Sequence, residues 1–172
     1  GALWASEETL DAMPPWQGGG EMISKVTFEK TTWNQLPSKF EAGTPNIAGG
    51  VGWGAAVDYV KGVGLEGIAA HEHDILEYAT GRMSEIDEVR IIGTAKNKSG
   101  AISFTFGDVH PHDLGTIIDH FGVAIRTGHH CTMPLMQFYG VPATARASFG
   151  MYNTRAEVDV FIDALLKARD MF

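Results

Sequence analysis

The densest group of reactive side chains lies in Arg126-Thr127-Gly128-His129-His130-Cys131, just ahead of Met133 and Pro134. Cys131 is the sole cysteine, so no internal disulfide forms and a site with several thiolate ligands is excluded within one chain. A lone thiol is either buried filling, as free cysteines often are, or a nucleophile. Here it stands in a loop between a strand and a helix start, beside His129 and His130 and close to Arg126. Positive potential at that place favours thiolate over thiol, which makes Cys131 a candidate nucleophile. A metal site competes with this reading, because His129, His130 and Cys131 are all ligand types. Adjacent residues rarely hold one ion together, however, and zinc sites use spaced pairs. His71 and His73, two apart on a helix, point to different faces and read as solvated. His110 and His112 flank Pro111 at a helix start, where a capping or surface role suffices.

Arg146 is the second unusual residue. It lies in Ala143-Thr144-Ala145-Arg146-Ala147-Ser148, a strand otherwise small and apolar, where a guanidinium needs a partner. That partner is either an internal carboxylate such as Glu41 or Asp119, or a substrate carboxylate, which arginine holds with two parallel hydrogen bonds. The residue types leave both open.

These residues must be positioned by the elements around them. Leu3–Ala5 reads as the end of a strand and Glu7–Met13 as a short helix stopped by Pro14-Pro15. Gly18–Gly20 is a flexible or close-approach segment, and Met22–Thr32 alternates as a hairpin with Val26 and Phe28 on one face. Phe40–Asn46 is loop-like, with Pro45 barring an earlier helix start, and a small-residue helix follows through Val60. Its glycines, Gly49, Gly50, Gly52 and Gly54, fit either a tightly packed helix pair or a ligand close to the backbone. A second helix covers Leu65–Ile86, with Ile68, Ile75, Leu76, Ala79 and Met83 as its apolar stripe.

Beyond it the pattern becomes short and alternating. Strands are expected at Val89–Ile92, Ala101–Phe106, Val123–Arg126 and Ala145–Phe149. Helices are expected at His112–Phe121, Met133–Tyr139 and Ala156–Met171, the last capped by Asn153 or Thr154. Interleaving at this spacing makes an α/β two-layer sandwich. The internal boundary falls near residue 63, and the first third is so poor in periodic apolar residues that it reads as leaning on something outside itself.

Length and composition set the frame. A chain of 172 residues, 44% hydrophobic and 20% charged, folds around its own core without staples, and no apolar run is long enough to span a bilayer. A formal charge of −8 without a Lys/Arg cluster argues against a nucleic-acid partner. The start, Gly1 to Glu8, has neither a basic stretch nor a long apolar one and reads as no secretory signal, which fits a cytoplasmic setting.

Taken together, RTGHHC followed by MPLM, then RASFGMYNT, MPPWQGGGEMI and FEAGTPN, resemble the Suf-type, group II branch of the cysteine desulfurases, relatives of selenocysteine lyase within the class V aminotransferases. The likeness runs from end to end. It implies the C-terminal part of a fold-type I pyridoxal-phosphate enzyme: residues 1–62 a remnant of the large cofactor-binding domain with active-site loops and the hairpin, residues 63–172 the small α/β domain carrying the Cys131 loop. By the same resemblance Cys131 attacks the substrate sulfur and becomes a persulfide, and Arg146 grips the α-carboxylate of L-cysteine. Arg126 and His130, with His129, line the same region as substrate-binding residues. Thr44 reaches across a homodimer to the partner's cofactor phosphate, and Gly18 lies beside that site. The persulfide then passes to a sulfur-acceptor protein for iron–sulfur cluster assembly.

Two positions depart from the pattern, Thr132 where alanine is frequent and Gln17 where some relatives have glutamate. In the family a lysine holds pyridoxal phosphate as a Schiff base. None of Lys25, Lys30, Lys39, Lys61, Lys96, Lys98 and Lys167 stands in a comparable context, so the 172 residues alone are expected to be inactive. The alternatives are a selenocysteine lyase of the same family and a non-enzymatic module that binds a partner through the Cys131 loop.

Overall fold

The computed structural model describes all 172 residues, which divide into two compact units, Gly1–Gly62 and Val63–Phe172. In the first, α1 (Glu7–Ala12) begins where Ser6 Oγ accepts the Thr9 amide at 3.3 Å, with Glu7 and Glu8 favouring its positive end. Residues Leu3–Ala5, expected as a strand end, have no regular structure, because no neighbouring strand pairs with them. The expected hairpin forms from β1 (Ile23–Val26) and β2 (Thr31–Trp33), antiparallel with a register shift between Ile23 and Lys25. Its tip is closed by Thr27, whose amide donates to Lys30 O at 2.9 Å and whose hydroxyl accepts the Lys30 amide at 3.0 Å. Val26 and Phe28 are both exposed.

The long helix α2 (Ile47–Val63) starts just after Pro45. A Cβ on Gly50, Gly52 or Gly54 would meet nothing within 4 Å, so no contact inside the chain requires those glycines. Met22 is the one buried apolar side chain of residues 1–62. Lys39, also buried, donates from Nζ to Leu10 O and Asp11 O at 2.9 Å each. Those are carbonyls of the last turn of α1, where a cation is favoured by both hydrogen bonding and the helix dipole.

The second unit is an α/β sandwich. Gly64, at φ 96°, separates α2 from α3 (Leu65–Ser84), a conformation glycine adopts without steric cost. There follow β3 (Val89–Ile92), β4 (Ala101–Phe106), α4 (Pro111–Asp119), β5 (Arg126–Gly128), α5 (Met133–Tyr139), β6 (Thr144–Ser148) and α6 (Arg155–Arg169). The strands form one antiparallel sheet in the order β3-β4-β6-β5. Period-two alternation decides its faces. Ile102, Phe104 and Phe106 of β4 and Ala145 and Ala147 of β6 are buried against Ile75, Leu76, Ala79 and Met83 of α3, Leu114 and Ile118 of α4, and Val158, Phe161, Ile162 and Leu165 of α6. Phe104 meets Phe161 edge-on with ring centroids 6.0 Å apart, a geometry contributing about 0.5–1.5 kcal/mol beyond area burial.

Polar ties run along the outside of the helices. Arg82 pairs with Asp159, which also accepts from Tyr78 Oη at 2.7 Å, and Arg155 pairs with Asp74 at 2.6 Å. Thr154 makes a full capping box with Glu157 at the start of α6, resolving the sequence alternative between Asn153 and Thr154. His110 caps α4, its Nδ1 accepting the His112 amide at 3.2 Å, and Pro111 takes the first helical position. His71 bonds Asn153 O at 2.8 Å, and exposed His73 lies by Glu77. α4 begins a residue earlier than the apolar pattern suggests, at Pro111 behind the His110 cap, and ends earlier because Gly122 at φ 79° turns the chain after a C-cap at His120.

The strand expected at Val123–Arg126 is displaced. Pairing with β6 begins only at Arg126 and runs to Gly128, while Val123–Ile125 diverge from Ala147–Phe149 around a pocket of about 240 Å³ closed by Val160 and Phe161 of α6. Apolar alternation marks Val123 and Ile125 as inward-facing, and they do pack on the core, but packing without a ladder is not a strand.

Candidate active site

Strands β5 and β6 place the candidate residues by register. Arg126 pairs with Arg146, Thr127 with Ala145 and Gly128 with Thr144, and on the other side of β6 Arg146 pairs with Ser103 of β4. Ala145 and Ala147 face the helices, so Thr144, Arg146 and Ser148 project to the opposite face, together with Ser103 and Arg126. The guanidinium that looks misplaced in an apolar strand therefore stands on the face opposite the core helices α3, α4 and α6. The internal partners considered for it are not taken: Arg146 joins no ion pair of the structure, and its Nε is buried without a hydrogen-bond partner. A buried unpaired guanidinium N–H is costly, and a carboxylate accepting from it removes that cost.

After Gly128, at φ 122°, the chain leaves the sheet and reverses in a tight turn, His129–Thr132. The Thr132 amide donates to His129 O at 2.9 Å, and the Thr132 hydroxyl donates to the same oxygen at 2.8 Å. The two central residues, His130 at φ 53° and Cys131 at φ 62°, are both left-handed, as in a type I′ turn. That conformation favours glycine and asparagine, and in other L-residues costs roughly 1–2 kcal/mol each. Strain of this kind is held by surrounding contacts. Here the imidazole of His130 folds back on β6, its Nε2 within 2.9 Å of Thr144 Oγ1 and 3.1 Å of Thr144 O. The turn leaves Cys131 exposed immediately before α5.

The electrostatics follow from the same packing. His130 is held below the ordinary histidine value of 6.5, chiefly by burial. The bond to Thr144 acts the other way, and the positive neighbours Arg146, Arg126 and His129 add to the depression. The region thus gathers two arginines, a neutral imidazole and an exposed thiol, a set able to hold an anion and offer a sulfur nucleophile.

Thr44 and Gly18 belong to the first unit. Both are exposed, and the segments carrying them are joined where the Gly43 amide donates to Gly20 O at 2.9 Å. The Thr44 hydroxyl makes no hydrogen bond inside the chain, and a Cβ at Gly18 would meet nothing within 4 Å. Free hydroxyl and open backbone in adjoining segments fit a phosphate oxygen. Residues Arg126, His130, Cys131 and Arg146 are thus brought together in one unit, and Gly18 and Thr44 in the other. Thr144 is the residue that sequence reading missed. It is fully buried, and its signal was positional: two residues before Arg146 on a strand, it shares the arginine's face.

Comparison with known proteins places the chain in a family. It belongs to the class-V aminotransferase family, whose model matches residues 1–161. It is 50% identical over 174 residues to the probable cysteine desulfurase of Streptomyces coelicolor, covering all of this chain and 42% of that protein. It is 50% identical over 173 residues to the cysteine desulfurase of Haloferax volcanii, covering all of this chain and 41% of that one. Among solved structures, the cysteine desulfurase CsdA from Escherichia coli superposes with a TM-score of 0.92 at 33% identity, over 98% of this chain and 42% of that one. The apo cysteine desulfurase of Thermococcus onnurineus gives 0.89 at 34%, over 96% and 42%. The chain therefore spans about two fifths of the length of the relatives it matches. No helix is long and apolar enough to cross a membrane.

Proposed function

We propose that the chain is the sulfur-accepting portion of a pyridoxal-phosphate-dependent cysteine desulfurase of the Suf type, which converts L-cysteine to L-alanine and leaves a persulfide on Cys131. The observation that carries this is Arg146: a guanidinium with a buried, unpartnered Nε, opposite Arg126, on the sheet face beside the turn that presents an exposed Cys131. A substrate bearing a carboxylate and a sulfur suits that arrangement.

In this reading Arg146 holds the α-carboxylate through charge-assisted hydrogen bonds, and Arg126 adds a second positive charge from across the ladder. His130, neutral at physiological pH, borders the substrate without adding a third. Cys131 Sγ receives the sulfur atom. Its exposure lets a sulfur-acceptor protein collect the persulfide for iron–sulfur cluster assembly. When bound, the cofactor supplies the electron sink that the breaking of the substrate C–S bond requires. The Thr44 hydroxyl and the backbone at Gly18 would hold its phosphate, Thr44 serving the partner's site in a homodimer.

The anchoring lysine lies outside these 172 residues. Lys39, the one buried lysine, has its ammonium engaged by two carbonyls of α1, which supports that assignment. The single unpaired thiol suits a reducing cytoplasm. The test is turnover of L-cysteine by the full-length enzyme, with alanine and Cys131-bound sulfane sulfur measured together. Borohydride treatment of the 172 residues with pyridoxal phosphate should leave no specific lysine adduct. Alanine production that leaves Cys131 unmodified overturns the assignment.

A further inference from the structure

We infer that Thr144 is a positioning residue for the Cys131 loop, acting as a latch that holds the His130 imidazole and through it the left-handed turn. The inference rests on the sulfur-transfer reading only for its catalytic consequence. Its geometry stands on the fold alone.

Gly128, the last residue of β5, is the ladder partner of Thr144, so the loop departs opposite that threonine. Two residues later His130 returns to the same residue, with Nε2 at 3.1 Å from Thr144 O and 2.9 Å from its Oγ1. The loop is thereby closed on a side chain that is fully buried. A carbonyl oxygen only accepts, so Nε2 carries the hydrogen and is shared between the two oxygens of Thr144. In the neutral ring Nδ1 then keeps its lone pair, and that atom is buried with no partner in the chain. Burial and the positive neighbours hold the imidazole neutral, in keeping with this tautomer.

His130 and Cys131 occupy consecutive positions at φ 53° and 62°, where neither residue type settles of its own accord. The turn itself supplies the His129–Thr132 bonds, and the His130–Thr144 contact is the tie from the turn to the sheet. Weakening that tie should let Cys131 leave its presented position while Arg146, whose place is fixed by the ladder, stays.

The test has two arms. In the unmodified 172-residue protein, nitrogen-15 NMR at neutral pH should show His130 neutral with its proton on Nε2. A proton on Nδ1, or a charged ring, overturns the latch without any variant being made. In the full-length enzyme, Thr144→Val should lower kcat about threefold or more, the weight of one lost hydrogen bond, with KM for L-cysteine unchanged. Thr144→Ser should restore kcat. Alkylation of Cys131 in the 172-residue protein should change by a comparable factor in the valine variant and revert in the serine variant. Unchanged kcat and alkylation in Thr144→Val overturn the proposal, as does failure of serine to rescue. If the tautomer and alkylation results hold but the full-length enzyme forms no persulfide, the latch stands and the sulfur-transfer reading fails.

Discussion

Arg126 and Arg146 face each other directly across the β5–β6 ladder, and neither is paired with a carboxylate in the structure. Like charges in register oppose strand pairing, typically by a few tenths of a kcal/mol. Arg126→Gln should therefore raise the urea midpoint of unfolding slightly while weakening the hold on substrate. A lower midpoint would show that Arg126 contributes packing that outweighs the repulsion.

Arg146→Ala removes the group proposed to hold the carboxylate. A charge-assisted contact is worth about 1.5–3 kcal/mol, so KM for L-cysteine should rise roughly tenfold or more. Steady-state kinetics of the full-length enzyme check this. An unchanged KM would move the carboxylate site elsewhere.

Cys131→Ala should leave the cofactor of the full-length enzyme bound, with its absorbance intact, and abolish persulfide formation and alanine release. In the native protein the exposed thiol should be labelled readily by iodoacetamide near neutral pH. Mass spectrometry after brief labelling reads the modified residue directly. A native protein that resists labelling denies the acceptor its access.

Acidification should destabilise the protein in two windows. His130 binds its proton less readily when folded than the ordinary value of 6.5, so just below that value the unfolded chain carries more protons. Its contribution is whole above about 6.5 and is lost as pH falls through the depressed folded value. Asp74, held down by Arg155, and Glu157, held down by Thr154, lie below their ordinary 3.8 and 4.5, and their contributions vanish only at lower pH. The urea midpoint should begin to fall as pH drops below about 6.5, and His130→Gln should flatten that first descent alone. Equal slopes in both proteins would assign the change to other groups.

Much of this arrangement is legible in the residues because the signals are local and periodic. Val89–Ile92, Ala101–Phe106 and Met133–Tyr139 are bounded as the pattern predicts, since alternation, apolar spacing and Pro134 act within a few residues. Val123–Ile125 is misread because a strand needs a partner, and the divergence from Ala147–Phe149 is a tertiary event. The same holds for Leu3–Ala5. Cys131 and Arg146 stand out by residue type against their surroundings. The left-handed pair His130–Cys131 does not, because neither residue type announces a positive φ. Thr144 is quieter still, a common polar residue whose importance appears only when the loop folds back on it.

Strand β6 keeps two duties apart by parity. Ala145 and Ala147 fit the core, while Thr144 and Arg146 face the other way. A lineage could therefore exchange the even-numbered residues, and with them the ligand, while the odd-numbered ones went on specifying the same sheet. Adaptation of the chemistry and preservation of the fold draw on different letters of one five-residue word.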